Sequence, residues 1–128
     1  MPELVRKSES VEPEIHPNVY RIVDLLDARK GAEIRAYDVR GLTLVADTFI
    51  MCSASSAPQL KALVNSVKDG MKDFGVAPLA VEGDGEVSWI VMDYGSILVH
   101  LFRDEAREFY DLDGLWGDAP QIDLQIGS

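Results

Sequence analysis

The chain has 128 residues, 47% of them hydrophobic and 27% charged, which is enough for one domain with its own core and no need of a disulfide or metal staple. Its 12 basic and 22 acidic residues leave a net charge of −10, a field that repels phosphate backbones and argues against direct nucleic-acid binding. A single cysteine, Cys52, excludes an intramolecular disulfide, and neither a signal-peptide core nor an apolar run of the ~18 residues a membrane helix needs occurs, so a cytoplasmic address is expected.

Residues 1–16 carry Pro2, Pro13 and many charges without periodicity, the composition of a flexible arm. A first helix is expected from Asn18 as its cap, with Val19, Ile22, Val23 and Leu26 on one stripe and Gly31 as its stop. Glu33–Val39 alternates like a strand, Arg40 and Gly41 break it, and Asp47–Ala54 is a second, more apolar strand. Ser56 and Gln59 have the spacing of a capping box. Leu60, Leu63, Val64, Val67, Met71 and Phe74 then form a stripe that needs a sheet to lie on, and Gly75 ends the helix. Leu79–Gly83 is a short third strand, Asp84 and Gly85 form a turn pair, and two further strands begin at Trp89.

This order predicts an α/β domain over residues 17–117, with two layers, a mixed five-stranded sheet and two main helices. Residues 118–128 remain as a tail. Within it Gln121–Ile126 alternates after Pro120, the pattern either of an added edge strand, for instance on a second protomer, or of a frayed terminus.

The last two strands specify their own pairing. Gly95 and Ser96 suit a two-residue turn of type II′, which pairs Tyr94 with Ile97, Val91 with His100 and Trp89 with Phe102. One face then carries Ile90, Met92, Tyr94, Ile97, Val99 and Leu101, a core face for the helices. The other carries Trp89, Val91, Asp93, Leu98, His100 and Phe102. That second face is too apolar for open water, and if both helices lie on the first face it is a docking surface. The competing reading has the C-terminal segment folding back over it.

Catalytic groupings are poor. Cys52, His100 and Asp93 are the residue types of a nucleophile, base and orienter, yet no glycine-lined turn or amide cluster accompanies them, and a cysteine inside a strand is ordinarily a small buried hydrophobe. The two histidines, His16 and His100, show no metal-ligand spacing, and no phosphate-cradling glycine loop occurs, so neither metal nor cofactor is expected. The acidic turn Glu82–Glu86 reads as a solvated loop. The element order is similar to that of nucleotidyltransferases, which hold magnesium between carboxylates at alternating strand positions; here Asp93 has no partner two residues away.

The run "ADTFIMCSASSAPQL", then "VEG", then W-x3-D-x-G-x4-H and R-x2-Y-x-L-x2-LW between Trp89 and Trp116, resembles the Iojap/RsfS family of ribosomal silencing factors, from about Val19 to Trp116. The resemblance implies a nucleotidyltransferase-like fold without its catalytic residues, and no enzymatic activity. It also implies a partner, protein fourteen of the large ribosomal subunit, bound so that the small subunit cannot join and translation falls when nutrients are short. The family's characteristic positions fall on Glu82, Trp89, Asp93, His100, Arg107, Tyr110 and Trp116, and the face pattern adds Phe102 at a variable hydrophobic site. A basic ribosomal protein suits this acidic chain better than RNA does. Two alternatives stay open: a residual nucleotide-binding protein, and a homodimeric scaffold whose Trp face pairs with itself.

Overall fold

The computed structural model describes residues 15–83, 88–110 and 119–124. In chain order the elements are α1 (Pro17–Ala28), β1 (Ala32–Asp38), β2 (Thr48–Ala54), α2 (Ala57–Lys72), β3 (Ala80–Glu82), β4 (Trp89–Asp93), β5 (Ile97–Arg103) and α3 (Asp104–Tyr110). The strands form one mixed sheet in the order β1-β2-β5-β4-β3. Only β2 and β5, at its centre, run parallel; the other neighbours are antiparallel. Trp89 lies opposite Phe102 and Val91 opposite His100, and the Tyr94 N–H donates to the Ile97 carbonyl at 2.9 Å. Gly95 takes a φ of +87°, as the first central position of a type II′ turn requires.

The helices follow the sequence pattern with instructive shifts. α1 is capped by His16, whose Nδ1 accepts the Asn18 N–H at 3.0 Å, rather than by Asn18 itself. His16 thus belongs to the folded domain, while residues 1–14 of the expected arm lie outside the described residues. The helix stops one residue earlier than the glycine suggests. Lys30 takes the left-handed φ of +64°, with its N–H on Asp27 and that of Gly31 on Leu26. Gly31 is needed for space instead: a Cβ there would come within 2.4 Å of the Cys52 sulfur.

α2 opens with Ser56 accepting the Gln59 N–H at 3.1 Å. The Gln59 side chain extends the capping device, taking the Ser55 N–H at 2.7 Å and donating to the Arg29 and Lys30 carbonyls at the end of α1. Leu60, Leu63, Val67 and Met71 are fully buried, each contributing roughly 1.5–3 kcal/mol of gross burial. Phe74 departs from the expected stripe. It lies past the helix end, half-exposed, with the Arg21 guanidinium 4.2 Å from its ring centre. Gly75, at φ +77°, ends the helix as expected.

Both long helices pack on one face of the sheet. Their buried stripes join Ala36, Ile50, Cys52, Ala54, Ile90, Met92, Ile97, Val99 and Leu101 in the main core. The opposite face is not bare, which corrects the expectation of an uncovered surface. The segment "DEAREFY", which follows the last expected strand, forms a third helix, α3, and folds back over this face. Ala106 of α3 and Ala119 meet Tyr37, Val39, Ala46, Phe49, Met51 and Phe102 in a second, smaller core. The chain from Ala119 then pairs with the outer edge of β1: Tyr37 lies opposite Gln121, the Asp38 N–H donates to the Pro120 carbonyl, and the Ile122 N–H to that of Ala36. The tail therefore closes the edge of its own sheet.

Candidate functional site

Residues opposite one another across the strands share a face, so the pairing lays out the second face in rows. One row runs Ala80, Asp93, Leu98, Phe49, Tyr37; the next runs Glu82, Val91, His100, Met51, Arg35; a third holds Trp89, Phe102 and Ser53. Burial divides the face along β5. On the β1–β2 side Tyr37, Phe49, Met51 and Ser53 are buried. On the β4–β3 side Trp89, Val91 and Asp93 are half-buried, as are Leu98 and His100 of β5, while Ala80 and Glu82 are exposed. Among the described residues, the partly exposed part of this face is thus the half around Trp89, and Trp89 and Leu98 themselves pack against the second core.

At its centre is an aromatic cluster. The Trp89 indole N–H donates to His100 Nδ1 at 3.3 Å, and Trp89 also lies 5.6 Å, centroid to centroid, from Phe102. The His100 ring stacks parallel to Phe102 at 6.1 Å and meets Phe49 edge-on at 5.1 Å. Burial pushes the His100 pKa down to about 4, so the imidazole is neutral near pH 7. Asp93 sits at the turn, half-buried beside Leu98 and Ala80, where its Oδ1 accepts the Gly95 N–H at 2.8 Å.

The residues expected at this site do not all stand alike. Glu82, Trp89, Asp93 and His100 come together on the open half-face. Phe102 and Arg107 do not present themselves to a partner. Phe102 is fully buried beneath Trp89 and Ala106, and Arg107, only 5% exposed, reaches inward from α3. Its Nη1 donates to the Glu33 carbonyl at 2.7 Å and to the Ser53 hydroxyl at 2.9 Å. Glu33 has a left-handed φ of +49° at a shift in the β1–β2 register, so Arg107 clasps α3 to an irregular strand. The Tyr110 side chain and the whole of Trp116 lie outside the described residues, as does the Asp84–Gly85 turn.

The nucleophile–base grouping is broken by the sheet. Cys52 points into the helix-side core, fully buried, while His100 and Asp93 lie on the other face. Burial pushes the Cys52 thiol up to about 12, the opposite of what a thiolate nucleophile requires. Among the described residues no cluster of three metal-ligating side chains occurs.

One feature of the surface escapes the periodicity argument. In the turn after β1, Leu42, Leu44 and Val45 are exposed, Leu44 completely, and Leu79 is exposed as well. Both segments lead into strands at the Gly95–Ser96 end of the sheet: the Asp47 N–H donates to the Ser96 carbonyl at 2.8 Å, and Leu79 lies beside Gly95. The Val45 N–H on the Thr43 hydroxyl and the Leu42 and Thr43 N–H groups on the Val39 carbonyl order the turn. The readable signal was an apolar run, "LTLV", between a strand-breaking glycine and the next strand.

The family model described as "Ribosomal silencing factor during starvation" (RsfS) matches residues 12–128. The chain is 38% identical over 101 residues to the ribosomal silencing factor RsfS of Bacillus subtilis, covering 79% of this chain and 86% of that one. It is 31% identical over 126 residues to the RsfS of Zymomonas mobilis, covering 98% and 93% of the two. A crystal structure of a Chromobacterium violaceum protein superposes with a TM-score of 0.77 at 31% identity, covering 90% of this chain and 95% of that one. A Bacillus halodurans structure gives 0.73 at 27% identity, covering 83% and 96%.

Proposed function

This chain belongs to the RsfS family of ribosomal silencing factors, and from that premise we propose that it acts by docking rather than by catalysis. The open half-face around Trp89 receives a basic protein of the large ribosomal subunit, protein fourteen by the family resemblance. Its occupancy keeps the small subunit from joining and lowers translation when nutrients are short.

The observation that carries this reading is the division of the second sheet face. Among the described residues, Trp89, Val91 and Leu98 stay partly exposed beside the carboxylates of Asp93 and Glu82, while Tyr37, Phe49, Met51 and Phe102 are buried with Ala106 of α3 and Ala119. An apolar, tryptophan-centred patch rimmed by acid is the complement of a basic protein surface. The chain's net charge of −10 favours the same partner over RNA. The separation of Cys52 from His100 and Asp93 supports a role without a reaction.

The test is sedimentation of the protein with isolated large subunits, isolated small subunits and joined ribosomes. Co-migration with large subunits, and loss of subunit joining in its presence, is the expected result. Self-association through the Trp face with no large-subunit affinity would instead favour a homodimeric scaffold. A thermal shift with nucleotide and magnesium, again without ribosome binding, would favour a residual nucleotide site.

A further inference from the structure

His100 presents a chemical puzzle that packing does not solve. An indole N–H can only donate, so His100 Nδ1, 3.3 Å from Trp89 Nε1, must carry its lone pair there. The neutral ring then holds its proton on Nε2. That atom is buried and has no hydrogen-bond partner among the described residues. A buried donor without an acceptor weakens a fold, and its presence in a native structure calls for a reason.

Shape is not the reason. The ring fills a slot between Phe102, parallel at 6.1 Å, and Phe49, edge-on at 5.1 Å. Phenylalanine would occupy that slot with similar aromatic contacts and no orphaned N–H. Charge is not the reason either, because burial holds the ring neutral. What phenylalanine lacks is the acceptor that meets the indole.

We propose that His100 is a positioning residue, whose Nδ1 fixes the orientation in which the Trp89 indole is offered to a partner protein, and that the unpartnered Nε2–H is the cost of holding it. The inference rests on the docking reading above and gives His100 a role beneath the contact surface. Two rings flank the imidazole, so it cannot turn freely, and the indole bonded to it inherits that rigidity. A preoriented tryptophan loses less side-chain freedom on binding than one that must be ordered by its partner.

Three variants of the full chain test this: His100→Phe, His100→Asn and His100→Gln. Asparagine places a carbonyl oxygen near the Nδ1 position, whereas glutamine extends its amide towards Nε2. The readouts are the urea midpoint, the Trp89 indole N–H resonance (assigned by its loss in Trp89→Phe) and large-subunit affinity under conditions where each variant is folded. His100→Phe should unfold at a higher urea midpoint, shift the indole resonance and bind about 2- to 10-fold more weakly, the scale of one lost hydrogen bond. His100→Asn should recover most of the affinity and His100→Gln should not.

An unmoved indole resonance in His100→Phe, or a moved one with unchanged affinity, overturns the proposal. Equal binding by the Asn and Gln variants overturns it too. Wild-type protein that fails to bind large subunits would instead sink the docking reading, and the indole resonances would still decide whether His100 orients Trp89.

Discussion

Trp89 in the free protein is half-buried, with one side against Phe102 and its N–H on His100. If Trp89 anchors the proposed complex, Trp89→Ala should cost roughly 2–4 kcal/mol of binding, about a 30- to 1,000-fold weaker large-subunit affinity. Folding should suffer less. Fully buried Leu63 is the contrast, since Leu63→Ala should cost about 2–5 kcal/mol of stability and leave the docking face alone. Titration of large-subunit binding beside urea unfolding separates the two. Early unfolding of Trp89→Ala with normal binding would make that residue core.

His100 gives a second prediction at this scale, in pH. Its folded pKa of about 4 lies below the ordinary 6.5, so the unfolded chain binds more protons between those values. The contribution is fully present above pH 6.5 and is lost as pH falls towards 4. Between pH 7 and pH 5 the fold should lose on the order of 2 kcal/mol through this group. The urea midpoint of His100→Phe should fall correspondingly less over that range; parallel profiles for variant and wild type would show that the ring titrates normally.

Among the elements, the C-terminal pieces matter more than their length suggests. α3 has only seven residues and is too short to be stable by itself, so its position depends on Ala106 in the second core and on the Arg107 clasp. Arg107→Ala would leave the Glu33 carbonyl and the buried Ser53 hydroxyl without this donor, costing roughly 1–3 kcal/mol of stability. If Arg107 serves the site by holding α3, binding measured on fully folded variant should fall less than for Trp89→Ala. Removal of residues 119–128 tests the edge strand. The N–H of Asp38 and the carbonyl of Ala36 lose their partners in Pro120 and Ile122, and an unpaired β1 edge invites other chains. The truncated protein should be less stable and form larger species in light scattering; unchanged mass and unchanged urea midpoint would mean the pairing contributes nothing.

At the scale of the whole molecule, charge sets the encounter. A net charge of −10 steers this protein towards a basic surface, so large-subunit binding should weaken as salt rises and screening shortens. Asp93→Asn probes one carboxylate cleanly, because asparagine retains an oxygen for the Gly95 N–H and keeps the turn. The variant should bind about 3- to 10-fold more weakly at low salt, with the gap closing near 1 M salt. Equal affinities at low salt would place Asp93 outside the interface. The exposed Leu44 allows a further check of extent: Leu44→Glu should leave stability unchanged, and reduced large-subunit affinity would show that the docking surface continues past the half-face to the Gly95–Ser96 end of the sheet.

The sequence alone determined the elements whose periodicity is local. Strand alternation with Gly95 and Ser96 dictates the β4–β5 register and which residues share a face, because a two-residue turn admits one pairing. The α2 stripe dictates that a helix must cover the sheet, and motif spacing carried the family. Only the tertiary structure decided how far the second face is covered. That depends on where α3 and the Ala119 segment land, a matter of non-local packing: Ala106 and Ala119 against Phe49 and Phe102, and Arg107 across to Glu33. The same distance in sequence hid the role of Gly31, whose size matters because Cys52, 21 positions on, presses its sulfur against it. Periodicity states which side of a strand or helix is apolar; what comes to lie on that side is fixed by residues far along the chain, and on the Trp89 face that is what separates buried support from open surface.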